Sequence, residues 1–189
     1  MIDHCPASPQ ELYLDGLALI LGESGLEELS RQDLEKDLLP ARVVTMDKIA
    51  SRLAAFADPL AAQGLSLMAG REEFSTLLRL CGEETPLLDP SIRMLPPRRR
   101  IAKGLDAMLH WLKDSWGLAF SMIEKDQSVI VSLPDVPVAE ESQNANATYF
   151  LQGLLQGMLT WISGGKFYPA HIEQTAGGHE IVISCSPID

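Results

Sequence analysis

From Ile101 the apolar positions recur at helical spacing. Ile101, Leu105, Met108, Leu109, Leu112 and Trp116 fall on one stripe of a 3.6-residue period, which Gly117 closes. The period then drops to two. Leu118, Phe120 and Met122 alternate along one predicted strand and Val129, Val131 and Leu133 along the next, with "EKDQ" as the turn between them. The loop "PDVPVAEESQNANA" leads into a second long helix, "TYFLQGLLQGMLTWISGG", and Phe167 to Ile188 reads as a last hairpin turning at Gly177-Gly178. In that register Ile172 faces Ile183, Ala170 faces Cys185 and Gln174 faces Ile181 on the inward side. His171 and Glu173 then share the outer side with Glu180 and Ser184. Hairpin, helix, hairpin predicts a four-stranded antiparallel sheet with helices packed on one face, an α+β fold.

The first third of the chain is helical by the same criteria. "SPQELYLDGLALILGESG" offers Ser8 as an N-cap, Pro9 at the first helical position and Gly22 near the stop. "GLEELSRQDLEKDLLP" predicts a short acidic helix ended by Pro40. "TMDKIASRLAAFADPLAAQGLSLMAGREEFSTLLRLCGEE" predicts two or three more, with Thr45 as a cap and Asp58-Pro59 as an interruption. The stretch "TPLLDPSIRMLPPRRR" is proline-rich and reads as an irregular connection. These boundaries divide the chain into an N-terminal helical segment, residues 1–40, and a single α+β ligand-binding-like domain, residues 41–189.

Composition narrows the function classes. With 46% hydrophobic and 22% charged residues the chain has the balance of a soluble globular protein. No apolar run nears the roughly 20 residues of a membrane helix, and "MIDHCPASPQ" lacks the basic and apolar regions of a secretory signal, so a cytoplasmic protein is expected. Fifteen basic against 26 acidic residues leave a formal charge of −11, a field that repels nucleic acid. Its local exception, "PPRRR" at Pro96–Arg100, reads as a solvated patch at a helix start. Cys5, Cys81 and Cys185 lack the short spacings of zinc or redox motifs and read as unlinked thiols.

Enzyme signatures are absent: no G-x-S-x-G elbow, phosphate loop or dinucleotide fingerprint occurs. His110 lies opposite the Leu105/Leu112 stripe between Asp106 and Asp114, a surface imidazole rather than a buried ligand. His171 and Glu173 supply at most two of the three protein ligands that catalytic zinc requires. The second long helix holds more promise. Gln152, Gln156 and Thr160 recur every four residues, as do Gly153 and Gly157, and a glycine in a helix costs about 1 kcal/mol against alanine. Such glycines admit either close backbone approach or a cavity beside Met158 and Trp161.

The segments "MAGREEF" (Met68–Phe74), "MLPPRRRIAKGLDAMLHWLKDSWG" and "FLQGLLQGMLTWISGGKFYPAHIEQTAGGHEIVISCSPI" carry a resemblance. In their order and patterning, from about Gly25 to the C-terminus, the chain resembles the 4-vinyl-reductase-like, or hydrocarbon-binding, domain family. That family is similar in fold to the haem nitric-oxide-binding domain and to subunits of the TRAPP vesicle-tethering complex. Many relatives carry cysteines before the second long helix and around the last hairpin, where they can hold a metal. Here the loop has none, and Thr175 stands where one would follow Glu173. The resemblance thus implies a hairpin from a metal-binding lineage without the metal, and no proximal histidine for haem can be matched.

The leading expectation is a non-catalytic sensor or carrier that binds a small hydrophobic or amphiphilic molecule between the helices and the sheet. Its wall would be Trp116, Phe120, Met122, Phe150, Leu154, Met158 and Trp161. Catalytic residues, metal and cofactor are not assigned. The resemblance implies two alternatives: a TRAPP-like dimeric interaction scaffold without ligand and, last, a reductase or accessory in tetrapyrrole metabolism. A homodimer is expected on the same ground.

Overall fold

A computed structural model describes residues 8–31, 46–82, 85–117, 120–133, 145–175 and 178–188. Six α-helices, α1 (Pro9–Arg31), α2 (Met46–Phe56), α3 (Pro59–Cys81), α4 (Pro90–Met94), α5 (Pro97–Trp116) and α6 (Ala145–Ile162), accompany one sheet. Its strands are β1 (Ser121–Glu124), β2 (Ser128–Ser132), β3 (Ala170–Thr175) and β4 (Gly178–Ser184). The order β1-β2-β4-β3 is antiparallel throughout, so the α+β fold expected from the periodicity is the one observed.

Local chemistry starts and stops these elements where the sequence indicated. Ser8 and Glu11 form a reciprocal capping box: the Glu11 amide donates to Ser8 Oγ and the Ser8 amide to Glu11 Oε2, at 3.2 and 2.9 Å. Gly22 (φ 72°, ψ 171°) leaves the helical conformation at the expected stop, and the helix resumes across this kink to Arg31. Asp58 accepts from the amides of Leu60 and Ala61, both at 3.1 Å, while Pro59 takes the first helical position of α3. Gly117, at φ 69°, closes α5 in the left-handed conformation.

Three expectations are corrected. The stretch from Thr85 to Leu95 is not irregular. Thr85 caps a 3-10 turn, Pro86–Leu88, and Asp89 caps α4, because each proline sits just after a side chain that can hold the freed amides. The last hairpin is shifted by two residues: Ala170 faces Ile183, Ile172 faces Ile181 and Thr175 pairs with Gly178. An even shift preserves the faces, so Ile181 and Ile183 are buried and His171 and Glu173 exposed, while Gln174 is exposed at the strand end. Finally, Cys81 is buried and disulfide-bonded, which the sequence spacing of cysteines did not disclose; Cys185 is free. The expected cap Thr45, the acidic helix beyond Arg31, Cys5 and Leu118 lie outside the described residues.

The core is organised around α3 against α6, the most extensive helix pair. A Cβ on Gly70 would collide with the Phe150 carbonyl, and one on Gly153 with the Leu67 carbonyl. At Gly157 it would lie 2.8 Å from Phe74 Cβ and 3.1 Å from the Arg71 carbonyl. The two helices therefore meet backbone to backbone, and the Gly153/Gly157 pair serves close approach there. Opposite this seam α6 grips the sheet: Gln152 Nε2 donates to the Ala170 carbonyl at 2.7 Å and Gln156 Nε2 to that of Tyr168 at 3.4 Å. The four-residue recurrence of glutamine is thus a polar stitch between helix and last hairpin. The α5 stripe closes the other side, with Ile101, Leu105, Met108 and Leu112 buried at about 1.5–3 kcal/mol each.

Two glycines in this core should respond oppositely to the same change. Gly153→Ala places a methyl into backbone and should lower unfolding free energy by about 1–3 kcal/mol or more. Gly64→Ala, on the same helix pair but with nothing within 4 Å of the new methyl, should raise it by about 0.5–1 kcal/mol. Urea denaturation of both variants reads the contrast; equal effects would mean that the helices are not in backbone contact at Gly153.

Candidate functional site

Chemistry-bearing side chains gather on the outer side of the α3–α6 seam. There the glycines thin the helix pair and a solvent-open groove of about 590 Å³ forms. Its lining is Arg71, Phe74, Ser75 and Leu78 from α3, Gly157, Thr160 and Trp161 from α6, and Phe167 beyond it. The aromatic floor is continuous, since the Phe74 and Trp161 ring centroids are 6.2 Å apart. Arg71 is half-buried, and its Nε and Nη2 both donate to Gln156 Oε1, at 3.0 and 2.6 Å. Its guanidinium carbon lies 5.1 Å from the Phe167 ring centroid. Arg93 of α4 stacks on Trp161 at 3.9 Å. Burial pulls the Arg71 pKa down from its usual value, the direction expected of a cation withdrawn from water.

A second groove, about 520 Å³, lies between α5 and the sheet. Leu95, Ala102, Met122, Val129 and Cys185 give it apolar walls, and Arg98, Arg99, Lys103 and Lys125 rim it together with Asp106 and Glu124. The arginine patch read from "PPRRR" is divided here. Arg98 and Arg99 are exposed on this rim, whereas Arg100 turns back and donates to the Leu95 carbonyl at 3.2 and 3.0 Å.

The seven residues expected to line a cavity are distributed over several places. Phe150, Leu154 and Met158 are fully buried, Phe150 stacking on Tyr13 with centroids 4.5 Å apart. Trp161 lines the α3–α6 groove and Met122 the α5–sheet groove. Trp116 packs edge-on against Trp111, and Phe120 is half-buried against the core. Sequence reasoning missed Arg71, although it stands inside "MAGREEF" three residues before Phe74. The available signal was a charge on the helix face that also carries Gly70 and Phe74.

His110 is exposed and pairs with Asp114 at 3.7 Å, as its helical angle required. His171 pairs with Glu173 at 3.0 Å on the outer sheet face. Among the described residues no group of three or more His, Cys, Asp or Glu side chains is placed to hold a metal ion. Nor, among them, is any helix long and apolar enough to cross a membrane.

No family model and no curated protein matches this chain. Solved structures do. The Fe(II) unliganded H-NOX protein from K. algicida superposes with a TM-score of 0.61 at 14% identity, over 97% of each chain. The Fe(II)NO H-NOX protein from S. oneidensis gives 0.57 at 12% identity, over 97% of this chain and 100% of that one. An oxygen-binding H-NOX domain related to soluble guanylate cyclases gives 0.51 at 10%, over 94% of each. The chain therefore has the H-NOX fold along almost its whole length. Haem iron is held in proteins by His, Cys, Met or Tyr. Here His110 and His171 face solvent beside carboxylates. Tyr13 is spent on a 2.6 Å hydrogen bond to Ser66 and burial pushes its pKa up to about 12. Met158 is sealed in the core, and Met122 and Cys185 stand on a groove open to water and rimmed with charge. None of these side chains presents an iron ligand to an enclosed apolar slot, so they do not fit haem.

On the opposite face of α3 from the groove, Glu73 is 1% exposed, and its Oε2 lacks a hydrogen-bond partner. A Cβ on Gly16 of α1 would lie 2.8 Å from its Cγ, so α1 is seated directly on this carboxyl. Burial first, then the neighbouring Asp15 charge, raises its pKa to about 7. Between about 4.5 and 7 the folded chain thus holds a proton that the unfolded chain has lost, and stability falls as pH rises. Glu73→Gln should match the parent near pH 4.5 and exceed it in unfolding free energy by about 1–3 kcal/mol at pH 8. Denaturant melts at both pH values measure this; a constant difference would show that the carboxyl stays charged inside.

Proposed function

We propose that this chain is a non-catalytic binding module, a sensor or carrier for a small hydrophobic or amphiphilic molecule. The observation that carries the reading is the α3–α6 groove, an apolar and aromatic cleft with a few placed polar groups, the usual make-up of a small-molecule site. Support also comes from the fold, shared with H-NOX proteins one of which is described as oxygen-binding, and from the resemblance to hydrocarbon-binding domains. The ligand occupies the groove flanked by Phe74, Trp161 and Phe167, while Phe150, Leu154 and Met158 are buried in the core. Residues 41–189 are the binding unit in this reading and residues 1–40 its helical preface.

The dimeric scaffold is the second reading. Exposed apolar side chains on α1 and α3, Leu19 at 67%, Leu60 at 78% and Met68 at 49%, favour it, since they would be covered in a pair.

Native mass spectrometry of freshly purified protein, followed by denaturation and extraction, separates the two. A discrete added mass, lost on denaturation and absent from the groove-filling variant Ser75→Trp, is expected. A clean dimer mass without adduct in both proteins would favour the scaffold; a bare monomer that also binds no apolar probe would overturn both readings.

A further inference from the structure

The groove holds an imbalance that an apolar ligand alone would not use. Among the described residues no acidic side chain lines this cleft, whereas Arg71 lines it and Arg93 stacks on its Trp161. Neither arginine has a carboxylate partner among the described residues. Arg71 is the telling one. A half-buried cation without a counter-charge is costly, and this one is held in place by two bonds to a single neutral oxygen, Gln156 Oε1. Those bonds use Nε and Nη2 and leave Nη1 without a hydrogen-bond partner. Phe167 and Trp161 back the two guanidiniums, which fixes their planes and leaves a fork edge for a planar anion.

We infer that the ligand of this groove is a carboxylic acid with an apolar body, its carboxylate bound by Arg71 and its body laid on Phe74 and Trp161. The inference rests on the binding-module reading and adds the head group to it. Arg93, exposed and stacked on Trp161, adds a solvent-screened positive charge. The Thr160 and Ser75 hydroxyls at the groove wall donate to the Gln156 and Glu72 carbonyls, at 2.8 and 2.9 Å, and leave the head group to the guanidinium. A carboxylate is preferred over a phosphate dianion because one half-buried guanidinium supplies one charge and a two-toothed edge, enough for a monoanion. Aromatic and long-chain acids share this chemistry, and the aromatic floor admits either.

The test uses four probes on the full chain: 2-naphthoate and dodecanoate, and their neutral counterparts 2-naphthalenemethanol and 1-dodecanol. Calorimetry should show at least one acid binding about tenfold or more tightly than its alcohol, with the tighter acid revealing which body the floor prefers. Arg71→Met should erase the acid's advantage while leaving alcohol binding within about twofold. Arg93→Met, at an exposed position with little bearing on folding, should weaken the acid by a smaller factor. If acid and alcohol bind equally in the parent protein, the head-group assignment is wrong and the binding module stands. If none of the four binds, both fail.

Discussion

Everything in this molecule hangs on the approach of α3 to α6 at backbone distance. Gly70, Gly153 and Gly157 supply it, and a methyl at any of them would meet main chain or a core ring. Two helices so close cannot interpose side chains along the seam, so the apolar residues of α6 are displaced to its flanks. On one flank Leu154, Leu155 and Met158 complete the core; on the other Trp161 emerges beside Phe74. The groove lies along that seam, where Gly157 stands between Phe74 and Trp161. The glutamines on α6 then fix the sheet to the same helix, so α6 is in register with α3 and with the last hairpin at once.

The fold was legible because its signals are periodic and local. The α5 stripe, the alternation around "EKDQ" and the Asp58-Pro59 break each state an element without reference to the rest of the chain. The register of the last hairpin was less so. Gly177-Gly178 is the better turn by composition, but pairing Ile172 with Ile181 and Ala170 with Ile183 places the strand where Gln152 can reach the Ala170 carbonyl. A contact with a helix 18 residues away decided what the turn residues could not.

The site was less legible, for a physical reason. A pocket is a relation between elements, and the apolar residues of α6 look alike in sequence whether they face core, seam or solvent. Of the seven expected wall residues, the structure gathers Phe150, Leu154 and Met158 in the interior and leaves Trp161 at the groove. Arg71 could not be read as part of a site until α6 was laid beside it, because its meaning depends on Gln156, 85 residues on, and on its having no carboxylate partner among the described residues.

Arg71 and Glu73 show why that absence matters. They stand two residues apart on α3, and residues at that spacing project to opposite sides of a helix and cannot neutralise each other. Glu73 is driven under α1, Arg71 toward α6. Neither charge neutralises the other, and the two have different means. A carboxyl can take up a proton, and burial moves its pKa to about 7 for that purpose. A guanidinium cannot give one up near neutral pH, so its charge persists in the groove whatever the burial. The acid has an internal remedy, and among the described residues the arginine has none, the gap that the proposed carboxylate ligand would fill.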